Sequence, residues 1–432
     1  MGESHRGRTE NRLTDPIANR DEVHRRTIRV LQGGVIPGGL AMTTSYAAAA
    51  LLGSEITGSD TRGAIAAVGL SIGGTLAGLP VAAVMARHGR RIGIGAAYLV
   101  GAVGAVSALA AAISQNYFLL VVGMILVGCG QAGNLAARYA GADLATDANR
   151  ARSISLVIWA STVGSVLGPT VGLGLRSVLG SSEGASGYVL PYACSLGFFL
   201  LAAGVVLYRL RPDPLHLLAG EGQTGFRAPR VADLGLILAH PAARIALLGM
   251  MLSQAVMVAV MTVTPLHMVD GDQDPLIIGL MISLHIVGMY AFSPIIGEIA
   301  DRVSKELLIG IGAVITALGS EIASHTDAPD ATGHMMGLFL IGIGWCASLV
   351  AGSALMTEAF EPEVRVATQA TADVLMTATG AAAGIFSGLA VEQRSYHDLA
   401  HWATFLSIFL AVVAAVAVVQ SSRVRETGIH SS

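Results

Sequence analysis

From Trp402 to Val419 the chain carries no charged side chain, and only Thr404 and Ser407 add small polar groups. About 20 apolar residues in a row cross the hydrocarbon core of a bilayer as an α-helix. Twelve segments of this kind follow one another between residues 29 and 420. Charged residues make up 13% of the sequence, against roughly 25% in soluble domains. That is too little charge to solvate the surface of a water-soluble protein of this size. The 53 glycines would weaken helices in water, whereas in lipid small residues let helices approach closely. The chain therefore reads as an all-α membrane protein.

The sequence also repeats itself. Gly128-Cys129-Gly130 returns as Gly342-Ile343-Gly344, and Arg87 returns as Arg302. Gly164, Gly168 and Gly172 return as Gly380, Gly384 and Gly388, all at offsets of about 215 residues. Two similar membrane halves can hold a solute between them and rock about it, which is the plan of a transporter. The longest polar stretch, 209–242, separates the halves and contains Pro212, Pro214, Pro229 and Pro241. The expected division is a cytoplasmic tail over 1–28, six helices over 29–208, a cytoplasmic linker over 209–242, six helices over 243–420, and a second cytoplasmic tail over 421–432.

Basic residues orient the helices, since cytoplasmic loops are enriched in Lys and Arg. With the N-terminus inside, 26 basic residues divide so that only Arg62, Arg176 and Arg394 fall outside. A wrong helix count would scramble this asymmetry. The polar, Arg-rich first 28 residues contain no apolar run before a small-residue cleavage site, so they do not read as a signal peptide.

The loop after the second segment runs from Ala82 to Arg91 and includes Arg87, Gly89, Arg90 and Arg91. Its repeat after the eighth runs from Gly297 through Asp301 and Arg302 to Lys305. Both resemble the signature loop of the major facilitator superfamily, and the twelve helices, the repeat and the linker match that superfamily over nearly the whole chain. The resemblance implies an inner gate made by Arg87, Gly89, Arg90 and Arg91 in the first half and by Gly297, Asp301 and Arg302 in the second. Ala86 stands where the signature has its acid, so the first-half gate lacks that group. The fifth segment carries Gly164, Gly168, Pro169 and Gly172, which resembles the motif of the twelve-helix drug–proton antiporter branch. Against this, Gly128 stands where that branch carries a buried arginine in its fourth helix. Other stretches, among them Met261 to Met268, resemble a little-characterised bacterial branch.

Ionisable groups within the bilayer are functional candidates, because each costs at least about 2.5–3.5 kcal/mol at its centre. Asp373 lies about two turns into the eleventh segment, with Gln369 and Thr377 on the same helical face. It is the first candidate for proton coupling; the alternative is a structural carboxylate paired with Arg138 or Arg365. His285, in the eighth segment, is the second. Gln131, Asn134, Gln254, Trp345 and Gln369 are candidates for the solute pathway, with Gln131 and Trp345 near-equivalent in the two halves. Asp143, Glu298 and Glu358 read as water-accessible groups near the inner ends, and the pathway reads as poor in charge.

The sequence has no Gly-rich phosphate loop ending in Gly-Lys-Ser/Thr, no His-Glu-x-x-His and no cysteine cluster. No cofactor, metal or nucleic acid is expected, and the chain does not read as an enzyme. The partners expected are a small solute, protons and the lipid bilayer, and a monomer suffices for the pathway. The first expectation is proton-driven efflux of a hydrophobic or amphipathic compound across a bacterial inner membrane. The alternative is an uptake symporter or facilitator for a small nutrient. A reading of another class is a receptor or assembly protein that keeps the fold without transporting.

Overall fold

The computed structural model describes residues 16–178, 185–219, 226–230 and 232–429. Its first half contains α1 (Pro16–Thr57), α2 (60–88), α3 (90–114), α4 (Tyr117–Ala142), α5 (Arg150–Val178) and α6 (Val189–Arg209). Its second half contains α7 (Pro241–Asp270), α8 (Pro275–Tyr290 continued by Ser293–Arg302), α9 (Lys305–Ser324), α10 (Ala331–Glu358), α11 (Pro362–Gln393) and α12 (Tyr396–Ile429). These are twelve membrane-spanning helices in two pseudo-symmetric halves, as the apolar segments and the repeat predict. Helices α2 and α3 run as one helical stretch from Asp60 to Ser114, broken only at Gly89, where φ is 86° and ψ 168°. Two short helices, Pro214–Ala219 and Asp233–Ala239, lie in the linker.

Local sequence explains where the helices start. Pro241, Pro275 and Pro362 open α7, α8 and α11, where a missing N–H costs nothing. The side chains of Asn116, Ser304 and Asp330 accept backbone N–H bonds at the starts of α4, α9 and α10. Each such cap stabilises its helix by about 1 kcal/mol.

The repeated glycines are contact points inside each half. A Cβ on Gly128 of α4 would fall 2.2 Å from the Leu70 carbonyl oxygen of α2. In the second half, a Cβ on its counterpart Gly342 of α10 would fall 2.6 Å from the His285 carbonyl oxygen of α8. α4 and α10 are thus the helices around which each half packs, and the repeat is a repeat of packing. Large apolar side chains such as Leu76, Phe118, Leu280 and Phe405 remain exposed on the outer faces of the helices, as a protein solvated by lipid requires.

Helix α1 starts inside the stretch read as a polar tail. Arg20, Arg25, Arg26 and Arg29 are exposed while His24, Thr27 and Ile28 are buried, and His24 Nε2 lies 3.0 Å from Ser153 Oγ of α5. The segment is an amphipathic helix whose Arg25, Arg26 and Arg29 share one side; its charge density conceals the period. Residues 1–15 of that tail lie outside the described residues. At the other end, α12 continues past residue 420 to Ile429.

Candidate functional site

The site is best built from the end of the molecule that carries the loops around Gly89 and Asp301, here termed the basic end. Asp301, near the end of α8, accepts the backbone N–H bonds of Ala151 (2.9 Å) and Arg152 (3.0 Å). These are orphan donors of the first turn of α5, where the helix dipole favours an anion. The carboxylate therefore ties the two halves together. Below it, the Ser293 hydroxyl donates to the Ser155 carbonyl at 3.0 Å. A Cβ on Gly297 would fall 2.1 Å from Ser155 Oγ, so α8 and α5 touch along their backbones. Arg302 takes no part: it is exposed and pairs with Glu298 one turn earlier at 2.5 Å, a contact of small worth in water.

The first half solves the loss of its acid differently. Ala86 is buried and Arg87 exposed. Asp213 of the linker accepts the N–H bonds of Arg90 (3.2 Å), Arg91 (2.8 Å) and Leu215 (3.0 Å). It caps α3 as Asp301 caps α5. A Cβ on Gly89 would sit 2.3 Å from Asp213 Oδ2, and its positive φ also disfavours other residues. The Arg90 side chain then turns inward. Its guanidinium grips Asp143 at the end of α4 through Nε–Oδ2 (2.9 Å) and Nη2–Oδ1 (3.1 Å), and Nη2 also donates to Gln369 Oε1 of α11 at 2.9 Å. The Gln369 amide in turn donates to Thr357 of α10 at 3.1 Å. Asp143, expected to be within reach of water, is buried with Arg90, because the guanidinium satisfies both of its oxygens.

The repeat reappears as chemistry. Lys305 and Glu358 form an ion pair of 3.0 Å, and each lies 215 residues after its counterpart in the Arg90–Asp143 pair. Arg138 and Ser353 are also 215 positions apart, and they touch: Arg138 Nε donates to Ser353 Oγ at 3.0 Å. Repeat-equivalent residues of α4 and α10 meet where the two halves meet.

Arg138 is the hub of the molecule's centre. It is 2% exposed, and its Nη2 and Nη1 reach the two oxygens of Asp373 on α11 at 2.5 and 3.3 Å. Its other bonds go to the Leu135 carbonyl (2.7 Å) and the Tyr139 hydroxyl (3.2 Å). Tyr139 donates to Asp373 at 3.3 Å. A cleft of about 380 Å³ opens beside this pair, lined by Gly74 and Gly78 of α2, Arg90 of α3, Leu135 and Tyr139 of α4, and Gln369, Asp373 and Thr377 of α11. It ends where Thr75 of α2 donates to Thr377 at 3.2 Å.

Of the residues picked from sequence, Asp373, Gln369 and Arg90 line the cleft; the others do not meet there. Gln131 packs against Gly74, its Oε1 buried without a partner. Asn134 accepts the Tyr98 hydroxyl at 2.5 Å within the first half. Trp345 donates to Gln254 at 2.7 Å within the second. His285 is fully buried between α8 and α10, with Nδ1 2.6 Å from the Leu338 carbonyl oxygen, so it fits packing rather than proton exchange with the cleft. Gly164 and Gly168 of α5 press on α1. A Cβ on Gly164 would lie 2.8 Å from Gly39 Cα, and Thr43 and Thr44 donate to the carbonyls of Gly164 (2.8 Å) and Gly168 (3.0 Å). Pro169 and Gly172 continue the same helix. Of the two partners expected for Asp373, Arg138 makes the pair and Arg365 does not; Tyr139, Asp143, Asp213 and Ser353 are site residues that the sequence does not single out. Arg138 falls inside the fourth apolar segment, where any charge is a functional signal.

The major facilitator superfamily model matches residues 33–273 and 247–429. The chain belongs to this superfamily. An MFS-type transporter of Bacillus subtilis, YddS, uncharacterised by its name, is 32% identical over 405 residues, covering 92% of each protein. The riboflavin transporter RfnT of Brucella anthropi is 28% identical over 349 residues, 79% of this chain and 83% of that one. The crystal structure of the Escherichia coli fucose:proton symporter FucP superposes with a TM-score of 0.71 at 13% identity, over 90% of this chain and 98% of that one. As a member of the superfamily the protein is a multi-pass secondary transporter of a small molecule, not an enzyme.

Proposed function

We propose that this protein takes up a small organic solute together with protons, by alternating access, in a bacterial inner membrane with both termini cytoplasmic. Asp373 is the proton site. The observation that carries this reading is the Arg138–Asp373 pair at the junction of the halves, beside the cleft. A drug–proton antiporter needs a carboxylate that a cationic drug and a proton can occupy in turn. Here a buried arginine already occupies it, so a cation gains little by binding. Protonation of Asp373 instead weakens a cross-half contact and leaves Arg138 with unspent hydrogen-bonding capacity for a solute. Proton and solute then bind together, which is symport, and an inward proton gradient makes it uptake. The helix 5 motif, the main ground for efflux, is accounted for by α1–α5 packing. The riboflavin transporter among its relatives adds a vitamin-like nutrient to the range of solutes worth testing.

In this arrangement the basic end is shut. The contacts that must part to open it are the Asp301 cap on α5, the Arg90–Gln369 bond and the bonds of Arg138 to Asp373 and Ser353. The other bonds each have one charged partner and contribute about 1.5–3 kcal/mol; the Arg138–Asp373 pair is the contact that a proton can switch off.

The test is uptake into proteoliposomes with an alkaline interior, offered a mixture of nutrients that includes riboflavin, with the contents identified by mass spectrometry. Accumulation of a compound only with the gradient, and only with protein, supports the proposal. Gradient-driven depletion of a preloaded compound would replace it with efflux.

A further inference from the structure

We infer that the solute is a singly charged organic anion whose anionic group docks on Arg138 in place of Asp373. This rests on the proton-coupled reading above and names its substrate class.

The Arg138 guanidinium is held by three neutral acceptors besides Asp373: Ser353 Oγ, the Leu135 carbonyl and Tyr139 Oη. They fix its position whether or not Asp373 is ionised. The ionisable groups facing Asp373 are Arg138 and Tyr139 from α4 and Arg90 from α3. α10 presents only the Ser353 hydroxyl to Arg138, and Tyr290 of α8 lies within electrostatic reach of it. Asp143 does not compensate Arg138, because both its oxygens are taken by Arg90.

Charge bookkeeping then decides the ligand. A proton added to an Asp373 oxygen removes one negative charge and leaves Arg138 as a buried cation without a counter-ion. Leaving one member of a buried pair uncompensated is strongly unfavourable. A solute anion restores neutrality and supplies acceptors for the Nη1 and Nη2 donors. One cation is released, so one negative charge is wanted; Arg90 stays neutralised by Asp143. The cleft walls add Val81, Leu135, Ala136 and Val374 beside the pair, so the body of the ion is apolar. Proton and anion enter together and leave together, and the transported unit is electrically neutral.

The experiment measures thermal unfolding of the full chain in detergent with benzenesulfonate, which stays anionic across the pH range used. Benzenesulfonamide is the neutral control and sodium chloride the ionic control. The account expects benzenesulfonate to raise the Tm of Asp373→Asn by on the order of 3 °C through mass action, at any pH. It expects wild type to respond at low pH, where Asp373 takes up its proton, and not at high pH. The double variant Arg138→Gln/Asp373→Asn, which leaves no unpaired charge and so guards against misfolding, should not respond. An equal shift from the sulfonamide or from chloride overturns the organic-anion assignment, as does an equal shift in the double variant. No shift in a folded Asp373→Asn overturns it too. Proton-driven accumulation of a neutral nutrient in the uptake assay would leave symport standing while this inference fails.

Discussion

At the residue scale, one buried ion pair and one glycine matter most. Arg138 and Asp373 are both buried, and their mutual attraction offsets the desolvation of each. Replacing Arg138 alone with Gln is expected to destabilise the protein by about 3–5 kcal/mol, because Asp373 is left buried and unpaired. Adding Asp373→Asn should restore much of the loss, and thermal unfolding of the single and double variants checks this. If the losses simply add, the two groups are not an energetic pair. At Gly89 the positive φ and the Asp213 carboxylate both exclude a side chain. Gly89→Ala is expected to cost about 1–3 kcal/mol from backbone strain alone, visible as a lower Tm; an unchanged Tm would mean that the break between α2 and α3 is not held as described. Asp373 was legible in the sequence as a carboxylate within an apolar segment. Arg138 was legible as one of its two possible partners, but not as a group for the solute. Asp213 was hidden for a physical reason: the loop that lacks an acid borrows one from 127 positions after Ala86, and no local pattern marks such a loan.

At the scale of elements, the signature loops and the fifth helix divide their roles. Asp301 caps α5 across the interface between the halves, while Asp213 caps α3 within the first half. Asp301→Asn keeps the shape and removes the charge that the α5 N-terminus favours. It is expected to loosen the basic end. A Ser293→Cys reporter, buried at the α5–α8 contact, should then react several-fold faster with a small maleimide, and an unchanged rate would show that Asp301 does not hold that end shut. For α5, the contacts with Gly39, Thr43 and Thr44 make the Gly164–Gly168 face a packing surface. Gly168→Val is therefore expected to lower folded yield and Tm. A stably folded variant with a selective proton leak would instead support the antiporter reading of that motif. The sequence signalled both motifs, but not which helix each would touch, since small residues four apart fit any close neighbour.

At the scale of the whole molecule, the repeat is the thread that joins fold to mechanism. The same 215-residue offset that relates the apolar segments relates Arg90–Asp143 to Lys305–Glu358 and brings Arg138 to Ser353. Twelve spans followed from hydropathy, and two halves from the repeat and the polar linker. The placement of the cleft off to the α2–α4 and α11 side did not, because Asn134, Gln254 and Trp345 spend their polarity on neighbours inside their own halves and Gln131 packs behind Gly74 with its Oε1 buried. The central claim is that Asp373 carries the proton that enters with the solute. The most direct measurement is the pH inside proteoliposomes, read with a trapped dye when a transported solute is added outside. Wild type is predicted to acidify its interior on addition, and Asp373→Asn to exchange the solute across the membrane without any proton movement. Alkalinisation on solute entry, or acidification that persists in Asp373→Asn, would contradict the account.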